Sequence, residues 1–334
     1  MTPVKNNVPG DESPSVPQEV VDYTLDFLHD DVPTLRTCSL VSRAFLFCSR
    51  HHIYSNVFIV HELDSFRKYS GQLYQFQNLA ALLKHSPHIA PLVTRFVIHG
   101  EESYWMEDIL RYTSLFPIIQ SLRNLSHLEF LVRSQRSRAS FPNETYSLFL
   151  VALRSLSLKT LILEVIDFDN RCDDGHLVFE DVFTAAAANP ALKHLSLVGC
   201  YGGVETSEPY PPIRPPPSGL PALESLSISE ADNISWLFFT QSLYSISGIR
   251  RLSLQMTPGT PPSLIQSLLN EMQETLECFT LDINPRMNRD AGDLDGWKRQ
   301  VEESMPLLKD RGILEVEVIN RRHNALTGVG RVPF

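Results

Sequence analysis

The cysteine and histidine side chains could bind a metal or take part in catalysis, but their spacing favours neither. The five cysteines are Cys38, Cys48, Cys172, Cys200 and Cys278. No two of them have the Cys-x-x-Cys spacing of a zinc site, and an odd, scattered set does not indicate a disulfide framework. His51 and His52 are adjacent, so on a helix they would point about 100° apart and could not share a metal ion. We therefore expect no metal site and no cofactor.

Residues 167–173 place acidic side chains at alternate positions, as the start of a calcium-binding loop does. However, Arg171 replaces an oxygen ligand, Cys172 replaces the required glycine, and no glutamate stands at the twelfth position. A plain acidic loop is the favoured interpretation. The chain also lacks the motifs G-x-S-x-G, G-x-G-x-x-G and the P-loop. We predict that the protein is not an enzyme; a catalytic site assembled from distant residues is the least favoured alternative.

The charge balance limits the classes of partner. The 334 residues include 29 Lys and Arg against 39 Asp and Glu, a formal net charge of −10. This balance opposes a general attraction to nucleic acid or to an anionic membrane, so we expect neither as a partner. Residues 133–138 form a local basic cluster, interpreted as a solvated loop, with recognition of an acidic or phosphorylated segment as the alternative. A P-x-x-P match at 212–215 lies in a proline-rich stretch, 201–221, which we interpret as a surface loop.

Residues 1–14 are polar and lack the apolar core of a signal peptide, and no stretch approaches the ~18 apolar residues of a membrane helix. We expect a disordered leader over 1–14 and a protein of the cytoplasm and/or the nucleus.

The elements that would position any binding site fall into two groups. In the first, Val20, Val21, Leu25 and Leu28 have helical spacing, and Pro17 suits a first helical turn. A second helix carries Leu35, Cys38, Val41 and Phe45, a short turn follows at 49–54, and residues 57–60 are β-rich. These patterns predict a small three-helix domain over residues 15–57.

From about residue 90, an L-x-x-L-x-L pattern recurs with its middle anchors 26 to 34 residues apart. The middle anchors are Phe96, Leu128, Leu161, Leu195, Leu226, Leu252 and Phe279. Helical candidates lie between the copies at 104–122, 142–153, 177–188, 234–245, 261–274 and 297–309. One strand and one helix per unit is typical of a leucine-rich-repeat solenoid. We predict an α/β fold, with an irregular solenoid of parallel strands and helices over 58–320. Loop excursions are expected at 201–221 and 284–296, and a tail at 321–334.

The N-terminal segment resembles an F-box, most closely the fungal type. The similarity lies in VPQE from Val16, the apolar helix that follows, CSLVSRAF from Cys38, and SRHHIY from Ser49. It departs from the family pattern at Val16 for leucine, Thr24 for an apolar residue, and Phe45 for tryptophan.

The resemblance implies docking to the Skp adaptor subunit of a cullin–RING ubiquitin ligase. Carried over by position, the docking set is Val16, Pro17, Val20, Val21, Leu25, Leu28, Leu40, Val41 and Phe45. The protein would then be a non-catalytic substrate-recognition adaptor of an SCF-type E3 ligase, with Skp adaptor, cullin and an unknown protein substrate as partners. The alternative is a repeat scaffold that recruits no ligase and uses its N-terminal helices as a solenoid cap.

Alternate positions of the predicted strands would face a target on the concave side of the solenoid, because the leucines turn inward. Those positions are Arg95, His99, His127, Glu129, Glu164, His194, Ser196, Arg251, Gln255, Thr280 and Asp282. A register shift of one residue would turn all of them inward.

Overall fold

A computed structural model describes residues 16–60, 69–100, 115–134, 143–167, 179–198, 222–229, 245–256, 274–283 and 305–318, together with residues 269, 272, 296, 298, 299, 302 and 303. The chain divides into two compact units, one ending at Asn56 and the other beginning at Val57. The predicted leader at 1–14, the tail at 321–334 and the excursion at 201–221 lie outside the described residues, as does 284–296 except for its last residue.

The described part of the first unit contains three helices: α1 (Gln18–Asp26), α2 (Val32–Val41) and α3 (Arg43–Ser55). Side chains cap two of them. Asp31 precedes α2, and its carboxylate accepts hydrogen bonds from the Thr34 backbone N–H at 3.1 Å and the Thr34 hydroxyl at 2.6 Å. The Ser42 hydroxyl, at the start of α3, accepts a hydrogen bond from the Ala44 N–H.

Each helix contributes to the small core of this unit. Val21 and Leu25 of α1, Leu35 of α2 and Cys48 of α3 are buried together. Half-buried hydrophobic residues pack around them: Leu28, Cys38, Phe45 and Ile53. A unit of this size buries a limited fraction of its surface, so each of these contacts carries a large share of its stability.

The second unit is built on a nine-stranded sheet whose strand order follows the sequence. The strands are β1 (Asn56–Val60), β2 (Arg95–Gly100), β3 (His127–Ser134), β4 (Thr160–Asp167), β5 (His194–Val198), β6 (Ser225–Ser229), β7 (Arg251–Met256), β8 (Cys278–Ile283) and β9 (Leu314–Val318). Every pair from β2 to β9 is parallel. The predicted α/β fold class is confirmed, and the arrangement is that of a repeat solenoid.

Helices alternate with these strands. They are α4 (Tyr69–His85), a 3-10 helix (Pro87–Leu92), α5 (Leu115–Ser121), α6 (Asn143–Ser155), α7 (Phe179–Ala187) and α8 (Pro306–Asp310). The helix α4 was not predicted from the sequence. The predicted helix at 234–245 falls almost wholly outside the described residues, and that at 261–274 is described as helical only at Leu269 and Met272. Among the described residues, none of the helices combines the length and apolar character needed to cross a bilayer.

The middle anchors of the repeats form one continuous buried row. Phe96 pairs with Leu128, Leu128 with Leu161, and the row continues through to Phe279. All its members are at most 2% exposed, so the side chains that alternate with them are on the opposite face. The predicted register is therefore confirmed.

Polar side chains tie three of the repeats to the one before each of them. The amides of Asn124 and Asn189 donate to the carbonyls of Pro91 and Leu158, at 2.7 and 2.9 Å. The Thr275 hydroxyl donates to the Ile249 carbonyl at 3.0 Å. Both the donor residues and the carbonyl groups that accept from them lie just before a strand. The side chains therefore supply hydrogen bonds to carbonyl groups that are outside the backbone ladder of the sheet.

Candidate functional site

The polar face of the sheet, defined as the face opposite the buried anchors, holds most residues that the sequence assigned to target binding. Its first row runs across neighbouring strands from Arg95 to His127, His194 and Arg251, with Thr160 and Ser225 between them. The strands place these side chains in adjacent repeats because the sheet is parallel and in register. The row brings together residues that are up to 156 positions apart in the chain, from Arg95 to Arg251.

Arg95, His127 and Glu129 form an ion-paired group on β2 and β3. The Arg95 guanidinium donates to the Glu129 carboxylate at 3.0 Å, and the His127 Nε2 lies 3.1 Å from the same oxygen. The Arg95 guanidinium also lies over the Phe58 ring, 5.4 Å from its centroid. The hydrogen bond from His127 lowers the pKa of Glu129, burial opposes this effect, and Arg95 lowers the pKa further. The group thus places a fixed carboxylate and a cation side by side on the polar face.

His194 continues the row on β5, where it is half-buried. Burial lowers the pKa of His194, and Glu224 opposes this by favouring the imidazolium. Lys193, Arg251 and His127 lower the pKa further because each carries or can carry positive charge. His127 and Arg251 are therefore close enough to influence His194, although the three residues come from three different repeats.

A second row of the polar face is made of hydroxyl side chains. Ser196 pairs with Ser227, Ser227 with Ser253, and Ser253 with Thr280. The sequence assignment included only Ser196 and Thr280, yet the same alternation would have identified Ser227 and Ser253. Four adjacent strands thus present small hydrogen-bonding groups to whatever lies on this face.

Other assigned residues are less accessible. Glu164 and Gln255 are only 6% and 7% exposed, so a partner could not reach them directly. His99 is half-buried on β2, and the side chain of Asp282 is outside the described part of the structure.

Three other sequence features lie partly or wholly outside the described residues. The basic cluster at 133–138 is described only as far as Ser134, and the acidic segment at 167–173 only at Asp167. The P-x-x-P match at 212–215 lies wholly outside the described residues.

In the first unit, α1 has an exposed apolar face as well as its buried one. Val20 and Tyr23 of α1 are exposed, as are Val16, two residues before the helix, and Phe27, which directly follows it; the four are three or four residues apart. We call them the apolar stripe. The rings of Tyr23 and Phe27 contact each other edge to face, with centroids 4.9 Å apart. Tyr23 and Phe27 were not predicted from the sequence, where the apolar pattern of helical spacing included Val21, Leu25 and Leu28 instead.

The structure divides the docking set that the F-box resemblance suggested. Val16, Pro17, Val20, Leu40 and Val41 are exposed, and Leu40 is 87% exposed at the end of α2. Val21 and Leu25 are buried in the core, and Leu28 and Phe45 pack against it. These last four residues stabilise the unit. Thr24 is exposed and its hydroxyl donates to the Val20 carbonyl, so its polar side chain occupies no core position.

One further group of side chains lies between α1 and α3. The carboxylate of Asp26, the thiol of Cys48 and the imidazole of His52 have their ligand atoms within 4.8 Å of one another. The sequence contained a signal for this group, since Cys48 and His52 are four residues apart and share a helix face. Burial raises the pKa of the Cys48 thiol to about 11, and the charges of Asp22 and Asp26 add to the effect.

Comparison with protein-family models and with curated proteins gave no match.

Proposed function

We propose that the protein is a non-catalytic substrate-recognition adaptor of an SCF-type E3 ubiquitin ligase. In this proposal the three-helix unit docks a Skp-type adaptor, and the polar face of the sheet, as a leucine-rich-repeat-like surface, binds the target protein. The observation that carries the proposal is the concentration of exposed apolar side chains on the small helical unit.

Among residues 16–56, which the structure describes, seven large hydrophobic side chains are exposed: Val16, Val20, Tyr23, Phe27, Leu40, Val41 and Phe47. Scattered exposed hydrophobic residues are ordinary, but a stripe along one helix face is typical of a protein-binding surface. Complete burial of one such side chain contributes about 1.5–3 kcal/mol, so a few of them acting as anchors supply the affinity of a specific interface. Five of the positions that resemble F-box docking residues are exposed on this unit, which supports the assignment: Val16, Pro17, Val20, Leu40 and Val41.

The polar face supports the second half of the proposal. It combines the Arg95–Glu129–His127 group with a row of hydroxyls, a mixture suited to a polar protein segment. Repeat proteins use their extended sheet surfaces in this way. Loss of target binding without loss of adaptor binding is the expected result of Arg251→Glu.

Charge substitution in the apolar stripe tests the docking half. Val20 and Val151 are both 51% exposed, but Val151 lies on α6 in the other unit. The tagged full-length chain, its Val20→Asp variant and its Val151→Asp variant would be expressed in cells and the co-purified proteins measured. We expect Skp adaptor and cullin to accompany the wild type and Val151→Asp, and to be depleted at least about tenfold with Val20→Asp, as loss of ~1.4 kcal/mol implies.

Two results would count against the ligase. Absence of Skp adaptor from the wild-type material would favour the repeat scaffold without ligase recruitment. Equal recovery with Val20→Asp and Val151→Asp would show that the apolar stripe is not the docking surface. Circular dichroism of both variants checks that the helices remain folded, since both positions are on helix surfaces.

A further inference from the structure

The first unit contains a donor set for a transition-metal ion that is separate from its apolar stripe. Cys48 and His52 lie one turn apart on α3, and Asp26 is the last residue of α1. The His52 Nε2 is 2.8 Å from the Asp26 Oδ1, and the Cys48 Sγ is 3.9 Å from the same oxygen. Three different kinds of ligand therefore converge from two helices.

Their spacing suits tetrahedral coordination. With bonds of about 2.0–2.3 Å to nitrogen, oxygen and sulfur, ligand atoms around zinc lie about 3.5 Å apart. The distances of 2.8 Å and 3.9 Å lie on either side of that value, and no pair exceeds 4.8 Å. Small side-chain rotations would bring all three atoms onto one ion. We propose that Asp26, Cys48 and His52 bind a divalent zinc-class cation that joins α1 to α3.

The chemistry of the donors selects the class of metal. A thiolate and an imidazole favour zinc or cobalt, whereas magnesium and calcium prefer a site made entirely of oxygen ligands. Three protein ligands leave a fourth position, and the exposed Asp26 side chain lets water reach it. Cys48 is buried, so the sulfur side of the site is closed to solvent.

Charge in the neighbourhood also favours a cation. Asp22 and Asp26 both place a carboxylate on α1, and negative charge beside the donor atoms attracts a positive ion. Binding releases the thiol proton, after which one thiolate and one carboxylate, with a neutral imidazole, balance the charge of the divalent ion. In the structure, the His52 imidazole is hydrogen-bonded to the Asp26 carboxylate, so the two ligands are already side by side.

A metal at this position would act as a cross-link within a small unit. The hydrophobic core between α1 and α3 is limited to a few residues, so an added bond between these helices raises stability directly. This role is independent of ligase recruitment.

Cobalt titration of the metal-free full-length chain tests the site. We expect a single equivalent of Co²⁺ to produce a thiolate-to-cobalt charge-transfer band, Zn²⁺ to displace it, and Zn²⁺ to raise the thermal midpoint of helix unfolding. Cys48→Ala should abolish the band. His52→Gln should weaken Co²⁺ binding by more than about 100-fold, the upper end of the effect of losing an outer-shell partner.

Matched variants keep the result specific. Cys38→Ala and His51→Gln alter neighbouring residues of the same types and should bind Co²⁺ like the wild type. Asp26→Asn changes an exposed side chain and should weaken binding even if Cys48→Ala does not fold. Absence of the band in the wild type, a band that Cys38→Ala removes, or unchanged affinity in both His52→Gln and Asp26→Asn would overturn the site and leave only a histidine–aspartate hydrogen bond.

Discussion

Asn189→Ala should destabilise the solenoid because this amide joins two neighbouring repeats from a buried position. Asn189 is 2% exposed, donates to the Leu158 carbonyl at 2.9 Å, and accepts from the Ala191 N–H at 3.1 Å. Each buried hydrogen bond contributes about 1 kcal/mol, and a buried group left without its partner costs about 1–3 kcal/mol. We expect the free energy of unfolding to fall by about 2–4 kcal/mol.

Asn124→Ala provides the matched control. Asn124 makes the same kind of bond to the preceding repeat, from its amide to the Pro91 carbonyl at 2.7 Å, but it is exposed. Water can replace the lost donor there, so a loss of at most about 1 kcal/mol is expected.

Urea unfolding followed by circular dichroism would measure both free energies, with an unchanged urea dependence showing that the folded state is the same. Hydrogen exchange on β4 and β5 should show the loss locally in Asn189→Ala. Equal losses in the two variants would refute the argument, since burial would then not determine the strength of the bond.

Three other substitutions probe the two units. Glu129→Gln should make the free energy of unfolding less dependent on pH in acid. The pKa of Glu129 is held below its ordinary 4.5 in the folded protein. The stability that the carboxylate contributes is therefore present above about pH 4.5 and is lost as the pH falls through the folded-state pKa. Urea unfolding of wild type and variant between neutral and acidic pH would check this, and parallel profiles would contradict it. Leu35→Ala removes a fully buried side chain from the helical unit and should destabilise it by about 2–5 kcal/mol, seen as faster proteolysis at 16–56. Gly312→Ala places a side chain at a φ of 67°, so a loss of about 1 kcal/mol is expected even though nothing lies within 4 Å of the added Cβ. A thermal midpoint of unfolding equal to that of the wild type would refute the expectation for Leu35→Ala or for Gly312→Ala.

The repeated pattern in the sequence predicted the sheet well, for a physical reason. A strand buried on one face must alternate, so anchors such as Leu128 and Leu161 reveal both the element and its register. The helix α4 was missed because it precedes the first copy of the L-x-x-L-x-L pattern, so the spacing of the repeats did not predict a helix there. Asn124 and Asn189 were missed because their partners are carbonyl groups about 30 residues earlier in the chain, which no local pattern indicates.

The candidate sites show the same limit. Alternation places Arg95, His127 and Glu129 on one face, but their ion pairing depends on strand pairing. The spacing of Cys48 and His52 is visible in the sequence, whereas Asp26 reaches them only through the packing of α1 on α3. For the docking set, helical periodicity could not decide which apolar side of α1 faces the core, because Val20 and Val21 both continue an apolar stripe.

A binding isotherm between the purified full-length chain and a purified Skp-type adaptor tests the central claim most directly. The account predicts a saturable one-to-one complex of micromolar or tighter affinity that Val20→Asp weakens and Val151→Asp does not. No complex at micromolar concentrations of the folded wild-type chain, or equal affinity in the two variants, would contradict it.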